Sequence, residues 1–251
     1  MDLQLAGKRA IVTGGSRGIG KAIARQLAFE GVDVGIAARD QSRIDETIVE
    51  LAIETGRQVV GWSCDTGDDD SVRSMVAGLS GVLGGVDILV NAAAMPGGVV
   101  APPALADVTT DALWDEVNTK VMGYLRCARE VAPAMIGAGW GRIINVSGLA
   151  ARQSGSIIGS VRNVAVAAMT KNLADELGHQ GINVTVVHPG ATRTERTTDA
   201  AAERAAGNTI GRIVGAEEVA DVVAFLASPR SAAITGDAIA CGGGIRGPIY
   251  Y

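Results

Sequence analysis

The chain has 251 residues, with 22 Lys and Arg against 27 Asp and Glu, a formal net charge of −5 at pH 7. Hydrophobic residues make up 47% and charged residues 20%, ordinary globular usage that excludes a disordered or fibrous chain. The acidic balance argues against nucleic acid as the main partner, since neutralising phosphates needs a basic surface. Glycine is over-represented, with 34 against only 7 prolines, which points to tight strand–helix corners rather than low complexity.

Short β-rich apolar runs recur at residues 9–13, 32–37, 59–62, 86–90, 142–146, 182–187 and 237–240. Most are continuously apolar, as expected for strands buried on both faces of a parallel sheet. Segments with helical spacing lie between them: Ile19, Ala22, Ile23, Leu27 and Ala28 in 19–29, and Val219, Val222, Val223 and Leu226 in 217–227. Alternation of strand and helix from end to end predicts right-handed crossovers. The expected fold is α/β, a doubly wound parallel β-sheet of the Rossmann-like kind, in a single domain covering 1–251. The irregular stretches 95–108, 149–159 and 192–213 are then expected over the carboxyl ends of the strands, where ligands bind, the last forming a substrate loop.

Cys64, Cys127 and Cys241 are widely spaced and show no C-x-x-C pairing, so they read as small buried apolar residues. His179 and His188 are the only imidazoles, and no metal site is expected. No apolar run reaches the roughly 18 residues of a membrane span, and no cationic, apolar leader opens the chain. The expectation is a soluble cytoplasmic protein with no nucleic-acid or membrane partner.

The first strand runs into Thr13-Gly14-Gly15-Ser16-Arg17-Gly18-Ile19-Gly20 and then a helix. Such a corner lets backbone approach a pyrophosphate held on the free N–H groups and positive dipole of the helix N-terminus. The Gly15-x4-Gly20-Lys21 spacing fits part of a P-loop, but Ala22 offers no hydroxyl for magnesium. Gly14-x3-Gly18-x-Gly20 instead resembles the T-G-x3-G-x-G corner of the short-chain dehydrogenase/reductase family. The resemblance continues in order: Cys64-Asp65-Thr66, Asn91-Ala92-Ala93-Ala94 (where the family has N-A-G), Asn118, Val146-Ser147, the 170–177 helix, His188-Pro189-Gly190 with Thr192 and Thr194, Gly211-Arg212, and Ile234-Thr235-Gly236.

That resemblance implies a nicotinamide cofactor held by Gly14, Ser16, Arg17, Gly18, Ile19, Gly20, Arg39, Asp65, Thr66, Asn91, Ala92, Ala93, Pro189, Gly190, Thr192 and Thr194. A carboxylate ending the second strand would hold a ribose 2′-hydroxyl and repel a 2′-phosphate. Here that strand ends Ala37-Ala38-Arg39, and Arg17 adds a second cation, so NADP(H) is expected over NAD(H).

The family's chemistry depends on a Y-x-x-x-K pair one helical turn apart, with Ser147 and Asn118 standing where its other active-site residues stand. Counting back from Thr170-Lys171 puts Gly159 at the Tyr position and Asn163 at the Lys position. The only tyrosines are Tyr124, remote from this helix in sequence, and Tyr250 and Tyr251 at the end. Gly has no proton to give and Asn does not titrate, so the usual relay is absent. Ser147, Asn118 and Asn163 remain as candidate active-site residues, while Arg162 reads as a solvated cation and His188 as a packed imidazole.

Three functions fit this pattern. The first is an NADP(H)-dependent oxidoreductase on a carbonyl, alcohol or imine by a divergent proton relay; an iminium arrives already protonated and needs no acid. The second is a catalytically silent cofactor-binding subunit or sensor, alone or paired with a catalytic homologue. The third is a non-redox lyase or dehalogenase. By resemblance a homotetramer or homodimer is expected, and the substrate is not legible.

Overall fold

The computed structural model describes residues 1–95, 103–198 and 207–245. Nine strands occur among them: β1 Arg9–Thr13, β2 Asp33–Ala38, β3 Val59–Ser63, β4 Ile88–Asn91, β5 Gly141–Val146, β6 Ile182–Pro189, β7 Thr192–Arg193, β8 Val214–Gly215 and β9 Ala238–Cys241. The helices are α1 Gly18–Phe29, α2 Gln41–Thr55, α3 Asp69–Leu83, α4 Thr110–Glu116, α5 Gly123–Ala138, α6 Ile157–Leu177 and α7 Ala216–Ala227. Seven strands form one parallel sheet in the order β3-β2-β1-β4-β5-β6-β9, a doubly wound α/β architecture.

The apolar runs sit where burial on both faces requires them. Ala10 and Val12 of β1 pack with Ile23 and Leu27 of α1 and Val219 and Val223 of α7 on one face. Ile11, on the other, joins Met75 and Leu79 of α3, Val131 and Met135 of α5, and Leu177 of α6. All twelve of these residues are buried, and each of the larger aliphatic side chains contributes about 1.5–3 kcal/mol.

The strand order reverses between β1 and β4, which pair from Ala10↔Ile88 to Thr13↔Asn91. A crevice therefore opens at the carboxyl ends of these two strands. Behind it a buried polar string crosses the sheet: Asn91 Nδ2 donates to Asn145 Oδ1 (2.9 Å), and Asn145 Nδ2 donates to Thr170 Oγ1 on α6 (2.9 Å). The two-residue strands β7 and β8 pair with each other, joining the two ends of the 192–213 stretch.

Helices α4 and α5 run into one another through a π-helical turn, Val117–Met122. The Gly123 N–H reaches back to the Asn118 carbonyl, five residues earlier, which widens the turn. A Cβ on Gly123 would stand 2.8 Å from the Thr66 Cβ, so glycine lets this helix pass close to the end of β3.

Candidate active site

At the glycine-rich corner the backbone requirement is steric. Gly14 has φ +68°, and a Cβ there would lie 2.8 Å from the Ala92 carbonyl oxygen; one on Gly20 would overlap the Gly14 carbonyl. Thr13 Oγ1 accepts from the Ala92 and Ala93 N–H groups (3.2 and 3.3 Å), tying the β1 and β4 ends together. The Gly18 N–H, which opens α1, donates to the Glu195 carboxylate at 3.2 Å. A helix N-terminus attracts anions, and here a side-chain carboxylate already sits on it.

Glu195, Arg17, Gly18 and Thr194 line a cleft of about 510 Å³ whose other cations are Lys21, Arg25, Arg43 and Arg193. Lys21 and Arg25 are paired with Glu50, and Arg43 with Asp40. Among the described residues Arg17 and Arg193 make no ion pair. Arg39 lines a different cleft, of about 300 Å³, beside Asp65, Asp68 and Asp115.

Ser147 follows directly on β5, its N–H donating to the Val187 carbonyl at 2.8 Å. Its hydroxyl donates to Asn163, 3.1 Å from both the backbone oxygen and Oδ1. Asn163 is buried on α6, and a Cβ on Gly148 would be 3.0 Å from its Nδ2, so glycine allows α6 this close to the strand end. The third member was not expected. Lys120 Nζ donates to Asn163 Oδ1 at 2.9 Å and to the Ser147 carbonyl at 3.0 Å. Only 3% of Lys120 is exposed, and burial pushes its ammonium down to about 7; the Arg162 charge lowers it further, and Glu116 opposes both.

Asn118 is not in this cluster, which corrects its assignment to the active site. It lies two residues from Lys120 and so on another face of the helix, exposed, donating from Nδ2 to the Gly67 carbonyl at 3.1 Å beside Asp65. Arg162 is not solvated either: it pairs with Glu116, and both side chains are largely buried. Tyr124, remote in sequence, packs on Val166 of α6 and donates its hydroxyl to the Val146 carbonyl at 2.8 Å. That phenol is fully buried and burial drives it well above its ordinary range, so it is a packed donor beneath the site. His188 is buried, and burial holds it down at about 4, neutral at physiological pH.

The other expected contacts divide. Gly14, Ser16, Arg17, Gly18, Ile19, Gly20, Ala92 and Ala93 form the corner, and Thr194 reaches over Gly18, its Cγ2 3.6 Å from where a Cβ would stand. Pro189 ends β6, Gly190 lies against Gly242, and Thr192 Oγ1 donates to the Gly190 carbonyl at 3.0 Å. The Asn91 side chain is buried and committed to Asn145, and Thr66 Oγ1 donates to the Thr119 carbonyl at 3.0 Å, so neither side chain faces the crevice. Tyr250 and Tyr251 fall outside the described residues. Among the described residues no group of His, Cys, Asp and Glu is arranged to hold a metal, and no helix is long and apolar enough to cross a membrane.

Comparison with known proteins agrees with this architecture. Residues 14–246 match the family model described as enoyl-(acyl carrier protein) reductase. A putative ketoacyl reductase of Streptomyces coelicolor is 36% identical, with 93% of this chain and 95% of that protein covered. The L-sorbose reductase of Gluconobacter frateurii, solved with NADPH and L-sorbose, superposes with a TM-score of 0.91 at 28% identity over 99% of this chain and all of the other. A 7α-hydroxysteroid dehydrogenase solved with NADH gives 0.89 at 27% identity, covering 97% of this chain and 96% of that one. With the glycine corner, the strand order and these matches in agreement, the chain belongs to the short-chain dehydrogenase/reductase family of oxidoreductases.

Proposed function

We propose that this protein is an NADP(H)-dependent oxidoreductase that reduces a carbonyl or imine substrate without a tyrosine acid. The observation that carries the reading is the glycine corner, closed by contacts a single Cβ would break and already holding a carboxylate on the Gly18 N–H. A carboxylate held on that N–H supports this corner as an anion site that a pyrophosphate would use. The cations of the adjoining cleft, Arg17 foremost, suit the extra phosphate of NADP(H). When bound, the cofactor supplies a hydride to the substrate carbon.

This chain's own residues do the rest. The hydroxyl of Ser147 is held by Asn163 with its lone pairs left to orient a substrate donor, and it can turn to donate to a substrate oxygen. Orientation of this kind lowers a barrier without proton transfer. Loss of a general acid removes about 10²–10⁴-fold in rate, so slow turnover is expected. The test is a fluorescence titration with NADPH followed by NADPH consumption across aldehydes, ketones and cyclic iminium salts. Micromolar binding with measurable consumption supports the reading; binding with no consumption supports a silent subunit, and product without NADPH binding a non-redox enzyme.

A further inference from the structure

Position 163, where the family resemblance leads one to expect a lysine, carries an amide, yet an ammonium lies against that amide. It comes from Lys120, on the π-helical turn between α4 and α5, and it touches both Asn163 Oδ1 and the Ser147 carbonyl. We infer that Lys120 supplies the positive charge of the reaction centre from this other helix, acting through Asn163 and Ser147, and thereby selects a neutral carbonyl over an iminium as substrate. The inference rests on the oxidoreductase reading above and deepens it.

The geometry makes the charge costly and local. Lys120 is buried, and its two recorded partners are neutral oxygens, not carboxylates. The charged and titratable groups near it are Arg162 and Glu116, paired with each other, the neutral His188, and Tyr124 one turn further along. The Arg162–Glu116 pair is neutral as a whole, and Lys120 is the cation hydrogen-bonded to the Ser147 carbonyl. A buried ammonium with no counter-ion destabilises a fold. Its effect at the centre has a definite sign.

Hydride arriving at a carbonyl carbon breaks the C=O π bond and leaves the electron pair on oxygen as an alkoxide. That oxygen then takes a proton from water while NADPH leaves as NADP+. A cation nearby stabilises the negative charge as it develops, in a site of low dielectric. An iminium runs the other way: it enters positive and becomes a neutral amine, so the same cation repels it in the ground state. Lys120 is accordingly a positioning residue for carbonyl reduction and a discriminator against cationic substrates.

The experiment has two parts. In the protein alone, the Nζ and Cε resonances of the four lysines (Lys8, Lys21, Lys120, Lys171) are followed from pH 5 to 11 by NMR. One set missing from Lys120→Met and still protonated at the pH of the turnover assay is expected; a Lys120 set already neutral at that pH would overturn the inference. In turnover, Lys120→Met is expected to lose roughly 10²-fold in kcat for a ketone while losing nothing, or gaining, for a cyclic iminium. The exchange variant Lys120→Asn with Asn163→Lys, which returns the cation to α6, is expected to recover ketone reduction above Lys120→Asn alone. A wild type that reduces only iminium salts, or a Lys120→Met variant with an unchanged ketone-to-iminium ratio, overturns the Lys120 assignment and leaves the oxidoreductase reading standing. A wild type that consumes no NADPH overturns both.

Discussion

Lys120 Nζ stands 2.9 Å from Asn163 Oδ1, so a lysine and an asparagine from two different helices meet beside Ser147. The amide oxygen of Asn163 accepts from the ammonium and from the Ser147 hydroxyl together, which links the charge to the hydroxyl through one atom. Removing either side chain therefore disturbs the third group.

The first prediction concerns stability. Burial lowers the Lys120 ammonium from its ordinary 10.5 to about 7, so between those values the unfolded chain binds a proton that the folded chain does not. Stability then rises with pH across that window, because the unfolded state is the one that loses a proton. Denaturant unfolding of the wild type at pH 7 and pH 10 is expected to show a gain of about 3–5 kcal/mol from this group, and Lys120→Met is expected to lack it. Equal pH dependence in the two proteins would contradict the lowering of the Lys120 ammonium by burial.

Glu195 occupies the N–H that a pyrophosphate would use. Anion and carboxylate compete for the same helix terminus, so the side chain must leave before the cofactor seats. Glu195→Gln is expected to tighten NADPH binding by roughly twofold to fivefold, since an exposed contact of this kind is worth about 0.3–1 kcal/mol. Isothermal titration of the two proteins reads it, and weaker binding by the variant would show that Glu195 supports the cofactor instead.

Arg17 is the cation of the 510 Å³ cleft nearest the glycine corner in sequence and has no ion-pair partner among the described residues. Arg17→Ala is expected to weaken NADPH by about tenfold, the loss of one charge-assisted hydrogen bond, and to leave NADH nearly unchanged. Arg39→Ala is expected to do less, because Asp65 and Asp68 share its cleft. Side-by-side NADPH and NADH titrations separate the two.

Restoring the tyrosine and lysine by Gly159→Tyr with Asn163→Lys would bring a second ammonium to a place where Lys120 already sits. The double variant is expected to be destabilised, and adding Lys120→Asn to relieve it. A Cβ at 159 would also stand 2.9 Å from Ser156 Oγ, the group that caps α6, so that hydroxyl must rotate away. Thermal melts of the double and triple variants, with ketone reduction by the triple, check this: a triple variant no more stable than the double would contradict the charge clash.

The fold was legible because burial on both faces leaves continuously apolar strands, and all seven expected runs match observed strands to within two residues at either end. β6 runs two residues beyond expectation, through His188 and Pro189, because β9 pairs with it as far as Pro189↔Cys241. The glycine corner was legible because spacing alone encodes a steric requirement. The reaction centre was not. Asn118 matched a familiar residue type, but the π-helical turn shifts which residue points inward, and Lys120 takes that place. A signal was present: Gly123, Tyr124, Cys127, Ala128 and Val131 form a buried stripe, and Lys120 continues it at i−3 and i−4. A lysine on an apolar stripe is a buried charge, and buried charges belong to sites more often than to surfaces. The Arg162–Glu116 pair and the Tyr124 hydroxyl bond span long sequence separations that no local pattern encodes.

The most direct test is isotope transfer. Wild-type protein is incubated with NADPH deuterated at the transferable C4 position and a panel of ketones, and the alcohols are analysed by mass spectrometry. Deuterium at the carbinol carbon, one per NADP+ formed, is the predicted result. Tight NADPH binding with no deuterium in any product would contradict the account.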